Sequence, residues 1–184
     1  MKTNKSNKNS YLLIGAGLVA GGILYALSRR KTIPDGVNAV NNFDKQKYLG
    51  KWFEIARFNY RFERTLNNVS AEYSLNKDGS IKVVNKGYNY KTGKYQSVEG
   101  KAKFAGDANI AKLKVSFFGP FYAGYNVIAL DDDYKYALVA GQSRNYLWLL
   151  SREKTMPENI KQQYLAIAAN YGFNVANLVW VKQD

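Results

Sequence analysis

Eight short segments in which apolar and polar residues tend to alternate follow one another through the middle of this chain. They lie at residues 52–58, 69–75, 81–88, 95–104, 112–118, 125–130, 136–140 and 146–151. A period of two places successive side chains on opposite faces of an extended strand. The connections are mostly short, and Asn76-Lys77-Asp78-Gly79 and Lys91-Thr92-Gly93 are turn sequences that reverse a chain within a few residues. Short reversals make neighbouring strands antiparallel. Eight strands that also close first to last leave no open edge, and their interior is either filled by its own side chains or holds one small ligand. The sequence therefore predicts an all-β fold, an eight-stranded antiparallel up-and-down β-barrel.

Flanking elements are legible from caps and composition. After the barrel a helix is expected, with Thr155 as its cap, Pro157 in its first turn, Gly172 at its end, and Ile160, Tyr164, Ile167 and Ala168 on one apolar face. Residues 173–181 read as a last short strand. Ahead of the barrel, residues 32–42 contain Pro34, Asp35 and Gly36 and read as a linker, and Asp44 can cap a short helical turn through Tyr48. The expected organisation is thus 1–31 as an N-terminal segment, 32–42 as linker and 43–184 as the barrel domain.

Residues 9–28 form an uncharged stretch that would span roughly 30 Å as a hydrophobic helix, close to the thickness of a bilayer core. Tyr11 and Tyr25 sit near its ends, where amphipathic rings favour the interface. Two readings stay open: an uncleaved membrane anchor, or a signal peptide cut after Ala26-Leu27-Ser28 with secretion of the remainder. Arg29-Arg30 immediately after that site argues against cleavage. Gly15, Gly17, Gly21 and Gly22 are small enough to bring two such helices together, so a homodimer is a further option. An anchored barrel is expected outside the cytoplasm.

Composition excludes much chemistry. The chain has no Cys and no His, so it holds no disulfide, thiol nucleophile, histidine base or thiolate metal site, and no lipid-modified cysteine. No catalytic residue, metal or cofactor is expected. The net charge is +13. Lys2, Lys5, Lys8, Arg29, Arg30 and Lys31 carry +6 of it within residues 1–31, which contain no acid, and leave +7 for the rest. Such a surface suits anionic membrane lipids or nucleic acid, or is simply solvated. A nucleic-acid barrel of the five-stranded kind is disfavoured, because there are eight strands here and the aromatics alternate inward.

Several stretches together resemble one family. They are Gly50-Lys51-Trp52 within residues 48–58, residues 85–89, 114–121 and 124–130, Asp131-Asp132-Asp133-Tyr134, and residues 146–152 ending in Ser151-Arg152. From about Val37 onward the chain is similar to the lipocalins, in particular to the bacterial outer-membrane lipoprotein lipocalins. The resemblance implies a calyx-shaped barrel with a flanking helix. It also implies binding of a small hydrophobic or amphiphilic ligand, such as a fatty acid or lysophospholipid, without catalysis. In this pattern Gly50, Trp52 and Arg152 form the barrel floor, with the guanidinium against the indole. Members of this subgroup usually carry a lipidated cysteine. This chain has none, which leaves residues 9–28 as the expected anchor.

Alternation guided by that pattern assigns the candidate ligand-binding face. It comprises Ala56 and Phe58 on the first strand, Ala71, Tyr73 and Leu75 on the second, and Val98 and Ala102 on the fourth. Val115 and Phe117 follow on the fifth, Tyr125 and Val127 on the sixth, Leu138 and Ala140 on the seventh, and Tyr146 and Trp148 on the eighth, with Tyr122 at the open end. Small residues at 56, 71, 102, 129 and 140 leave room. The competing reading is a barrel filled by Tyr73, Phe117, Tyr125 and Trp148, which would make the protein a membrane-tethered interaction module, with an enzyme on the same fold as a further alternative. Arginines and aromatics at residues 57–64 follow the first strand and could meet a polar headgroup or simply pair with Glu63. Glu54 is the one carboxylate on an expected inward strand face, a lone acid without a catalytic constellation.

Overall fold

The computed structural model describes residues 31–60 and 63–184; the expected helix at residues 9–28, with its anchor, signal and helix-pairing readings, lies outside them. Asp44 Oδ1 accepts from the Gln46 N–H at 2.8 Å and starts the single turn α1 (Lys45–Tyr48), as its place in the sequence suggests. The barrel strands are β1 (Gly50–Phe58), β2 (Leu66–Leu75), β3 (Ile81–Asn89), β4 (Lys94–Phe104), β5 (Lys112–Phe118), β6 (Phe121–Leu130), β7 (Tyr136–Ala140) and β8 (Leu147–Ser151). Each pairs antiparallel with the next, and β1 pairs with both β8 and β2, so the eight strands close. A helix α2 (Glu158–Asn170), a 3₁₀ turn at Val175–Asn177 and a short β9 (Leu178–Trp180) complete the chain.

Four strand pairs carry a register shift, β1–β8, β2–β3, β5–β6 and β6–β7, and the first and last of these bear on the core under α2. The β1–β8 register shifts between Glu54 and Ala56, and the β6–β7 register shifts between Val127 and Ala129. Each bulge moves the residues after it onto the other face. Ala56 and Phe58 therefore turn outward beneath α2, where Leu138, Ala140, Leu147 and Leu149 join them in a core completed by Met156, Tyr164, Ala168 and Phe173. The second half of β1 would leave an edge where β2 has diverged. β9 pairs with it at Ala56↔Trp180 through Phe58↔Leu178.

The expected helix is present with a different start. Pro157 occupies the N-terminal cap position without a side-chain cap, and the Thr155 carbonyl instead accepts from Ser151 Oγ at 2.8 Å. Residues 32–42, read from sequence as a linker, lie against the barrel. Val40 donates to the Val127 carbonyl at 2.9 Å and accepts from the Ala111 N–H at 2.8 Å, and Val37 is buried in the α2 core. Gly124 permits this close approach, since a Cβ there would fall 1.8 Å from the Thr32 carbonyl oxygen.

Candidate functional site

The barrel has one closed end, built around Trp52. Its ring is fully buried, its Nε1 donates to the Tyr48 carbonyl at 2.9 Å, and the Tyr48 ring lies 4.8 Å from it. The Arg152 guanidinium sits 3.9 Å from the Trp52 ring centroid and donates to the carbonyls of Tyr134, Lys51 and Lys47. That is four favourable contacts for one cation, and they hold it flat against the indole. Gly50 has φ +93°, and a Cβ there would meet Arg152 Nη1 at 3.4 Å. The turn at residues 131–134 shapes the same end. Asp131 Oδ1 accepts from the Lys135 and Tyr136 amides, and Tyr134 takes φ +58° while its hydroxyl accepts from the Asp44 amide.

Above this floor lies a cavity of about 480 Å³ that opens at the opposite end. Of the expected inward residues, Ala71, Tyr73, Ala102, Val115, Phe117, Tyr122, Tyr125, Tyr146 and Trp148 line it. The aromatic side chains named as possible fillers thus form its wall and leave the space empty.

Seven expected positions are not on that wall. The bulges put Ala56 and Phe58 on the helix side, and on β7 Ala137 and Val139 point inward in place of Leu138 and Ala140. Val127 points inward but is fully buried within the Trp52 cluster. Leu75 is 40% exposed because β2 continues past the floor, where Gly50 already pairs with Tyr73. Val98 is 37% exposed because it lies beyond the last β4–β5 pair, Lys101↔Ser116.

The wall also contains residues that the sequence reading did not assign: Tyr48, Tyr60, Glu63, Val69, Val83 and Asn85, with Ile81. The signal for β3 was present, since 81, 83 and 85 are alternate positions. Tyr48 comes from a helical turn and Tyr60 and Glu63 from a loop, where period-two logic has no purchase.

The wall carboxyls Glu54 and Glu63 share a guanidinium, that of Arg57, behind the wall. Arg57 Nη1 donates to Glu54 Oε1 at 2.6 Å, Nη2 donates to the carbonyls of Glu63 and Leu66, and Nε lies 3.7 Å from Glu63 Oε2. Two carboxyls share one guanidinium. Burial and the charge of Glu63 push the Glu54 carboxyl from 4.5 up to about 8, against the pull of Arg57, and burial likewise raises Glu63. An acid whose pKa rises on folding binds its proton more tightly in the folded state, so this group makes stability fall as pH climbs from the unfolded value toward the folded one. Between pH 5 and 8 the decline is expected to reach at most about 1.4 kcal/mol per pH unit. Glu54→Gln is expected to flatten it in urea-unfolding series across that range. An unchanged slope would mean that Glu54 titrates normally.

The rim of the open end is apolar and basic. Phe118 is 77% exposed, Phe121 60% and Tyr122 37%, and the ammonium groups of Lys114 and Lys103 lie 5.4 and 6.0 Å from the Tyr122 ring centroid. Among the described residues no helix is long and apolar enough to cross a membrane.

Comparison with known proteins agrees with this architecture. Residues 43–183 match the family model described as a lipocalin-like domain. The chain is 56% identical over 172 residues to the outer membrane lipoprotein Blc of Citrobacter freundii, covering 94% of this chain and 97% of that protein. It is 35% identical over 151 residues to temperature-induced lipocalin-1 of Arabidopsis thaliana, covering 77% and 80%. Among solved structures, insecticyanin of the tobacco hornworm Manduca sexta superposes with a TM-score of 0.65 at 21% identity, covering 84% of this chain and 88% of that one. The closed barrel, the Trp52–Arg152 floor and these similarities together place the chain in the lipocalin family.

Proposed function

We propose that this lipocalin holds a small amphiphile, of the fatty-acid or lysophospholipid kind, in its barrel and acts as a carrier or store rather than as an enzyme. The observation that carries the reading is the open cavity of about 480 Å³ with mainly apolar walls and a few hydroxyl and carboxyl groups. Each buried methylene of an acyl chain contributes about 0.8 kcal/mol, so a long chain gains enough to bind without covalent attachment. The rim supports a working place at a membrane. Phe118 and Phe121 can enter the interface while Lys103 and Lys114 meet anionic headgroups. The outer-membrane relatives and the uncharged residues 9–28 favour the same setting.

Two substitutions test the cavity. Ala71 lines it, so Ala71→Trp is expected to weaken hexadecanoate binding at least tenfold while leaving the melting temperature near that of the wild type. Ala140 is packed under α2, so Ala140→Trp is expected to lower the melting temperature through overpacking. Fluorescence titration and thermal melting read both. Wild-type protein that binds no acyl ligand and carries none in native mass spectrometry would overturn the carrier reading.

A further inference from the structure

Deep in the cavity three tyrosine hydroxyls meet. Tyr125 Oη lies 2.7 Å from Tyr48 Oη and 2.8 Å from Tyr73 Oη. Three hydroxyls hold three hydrogens, and these two contacts use two of them. Among the described residues no other hydrogen-bond partner reaches any of the three oxygens, so one O–H donor is unspent. Burial raises all three pKa values above the ordinary tyrosine value, so the hydroxyls stay protonated and keep that donor at any physiological pH. The surrounding wall is apolar: Ile81, Val83, Ala102 and Leu113 pack with these rings. An acceptor that enters the cavity can take that remaining O–H.

From this arrangement we infer that the Tyr48–Tyr125–Tyr73 cluster is a polar subsite that receives an acceptor oxygen at the buried end of the ligand, so that a fatty acid enters carboxyl first. The carboxyls on the wall favour that direction, against the pull of Lys103 and Lys114 at the rim. Among the described residues lining the hollow, the ionisable groups other than Lys45 and the tyrosines are the carboxyls Glu54 and Glu63, while Arg57, their shared cation, does not line it. A ligand carboxylate is repelled by Glu63 and finds donors at the tyrosines. A lysophospholipid presents a methyl group to the same place and gains nothing from the cluster.

The inference rests on the carrier reading, and the test separates the two. Hexadecanoate, methyl hexadecanoate and a lysophosphatidylcholine with a hexadecanoyl chain are titrated against wild type, Tyr125→Phe and Tyr73→Phe. Loss of the central hydroxyl in Tyr125→Phe is expected to weaken hexadecanoate about tenfold and the lysolipid less than twofold. An equal loss for the methyl ester assigns the acceptor as a carbonyl oxygen, and a loss confined to the acid assigns it as the carboxylate; both support the subsite. Equal effects on hexadecanoate and lysolipid overturn it, as does a hydroxyl cluster that merely holds water and leaves every affinity unchanged. Should Tyr125→Phe fold poorly, ¹³C-carboxyl hexadecanoate on wild-type protein decides the matter. A carboxyl resonance shielded from a soluble paramagnet is expected, and one as accessible as in water refutes the orientation. Wild type that binds none of the three probes refutes the carrier reading instead.

Discussion

Trp52→Ala is expected to cost about 3–5 kcal/mol, the range for truncating a fully buried large aromatic. In a domain of this size that lowers the melting temperature by roughly 10 °C or more. The reason is the number of elements that meet on one ring. The indole is fully buried, packs with the Tyr48 ring, ties its Nε1 to the Tyr48 carbonyl and carries the Arg152 guanidinium 3.9 Å from its centroid. Removal opens a cavity at the floor and loosens α1, β1 and the arginine that joins them to the turn at residues 131–134. Trp52→Phe keeps most of the apolar volume and is expected to recover about half of the loss. Urea unfolding with both variants checks this; an unaltered midpoint for Trp52→Ala would mean that the ring does not plug the barrel.

Arg57→Leu is expected to be comparably severe at neutral pH, about 3–5 kcal/mol, because removing one member of a buried ion cluster leaves the others uncompensated. Glu54 loses its 2.6 Å partner and the carbonyls of Glu63 and Leu66 lose their donor. The loss should shrink at pH 5. Glu63 carries this effect: burial raises its pKa and Arg57 lowers it, so without the guanidinium it takes up a proton more readily, whereas Glu54, pushed up to about 8, mostly holds its proton at both pH values. Glu63→Gln combined with Arg57→Leu should be less destabilised at pH 7 than Arg57→Leu alone. Stability curves at the two pH values read both effects. A loss below about 1 kcal/mol at pH 7 would show that water reaches the triad and screens it.

The barrel itself was readable in the linear pattern, and the cavity wall in part. Ala71, Tyr73, Ala102, Val115, Tyr125 and Trp148 follow from alternation because their strands pair regularly where those residues sit, and Phe117 keeps the inward face although the β5–β6 register shifts between Val115 and Phe118. Ala56 and Phe58 follow a bulge in β1, while the phase of Leu138 and Ala140 is fixed by the pairs Val127↔Val139 and Asn126↔Ala140 and not by the short sequence of β7 itself. Register shifts at Glu54/Ala56 and Val127/Ala129 are set by how neighbouring strands accommodate curvature. The local sequence carries no glycine or proline at either point to announce them. The side chains that give the hollow its polarity were split between the two sources. Glu54 stood out as a lone inward acid, whereas its partnership with Arg57 and Glu63 depends on the bulge and on the loop that follows β1.

Periodicity and turn chemistry by themselves determined the strand count and the antiparallel order, because each is a local property repeated along the chain, whereas closure rests on the pairing of β1 with β8. Absent histidine and cysteine determined which chemistries could never occur here. Tertiary structure alone decided which face each strand shows after its bulge, that residues 32–42 lie against the barrel, and that Tyr48, Tyr73 and Tyr125 meet at one point. Those outcomes depend on packing between segments far apart in sequence, where no local period can specify a distance.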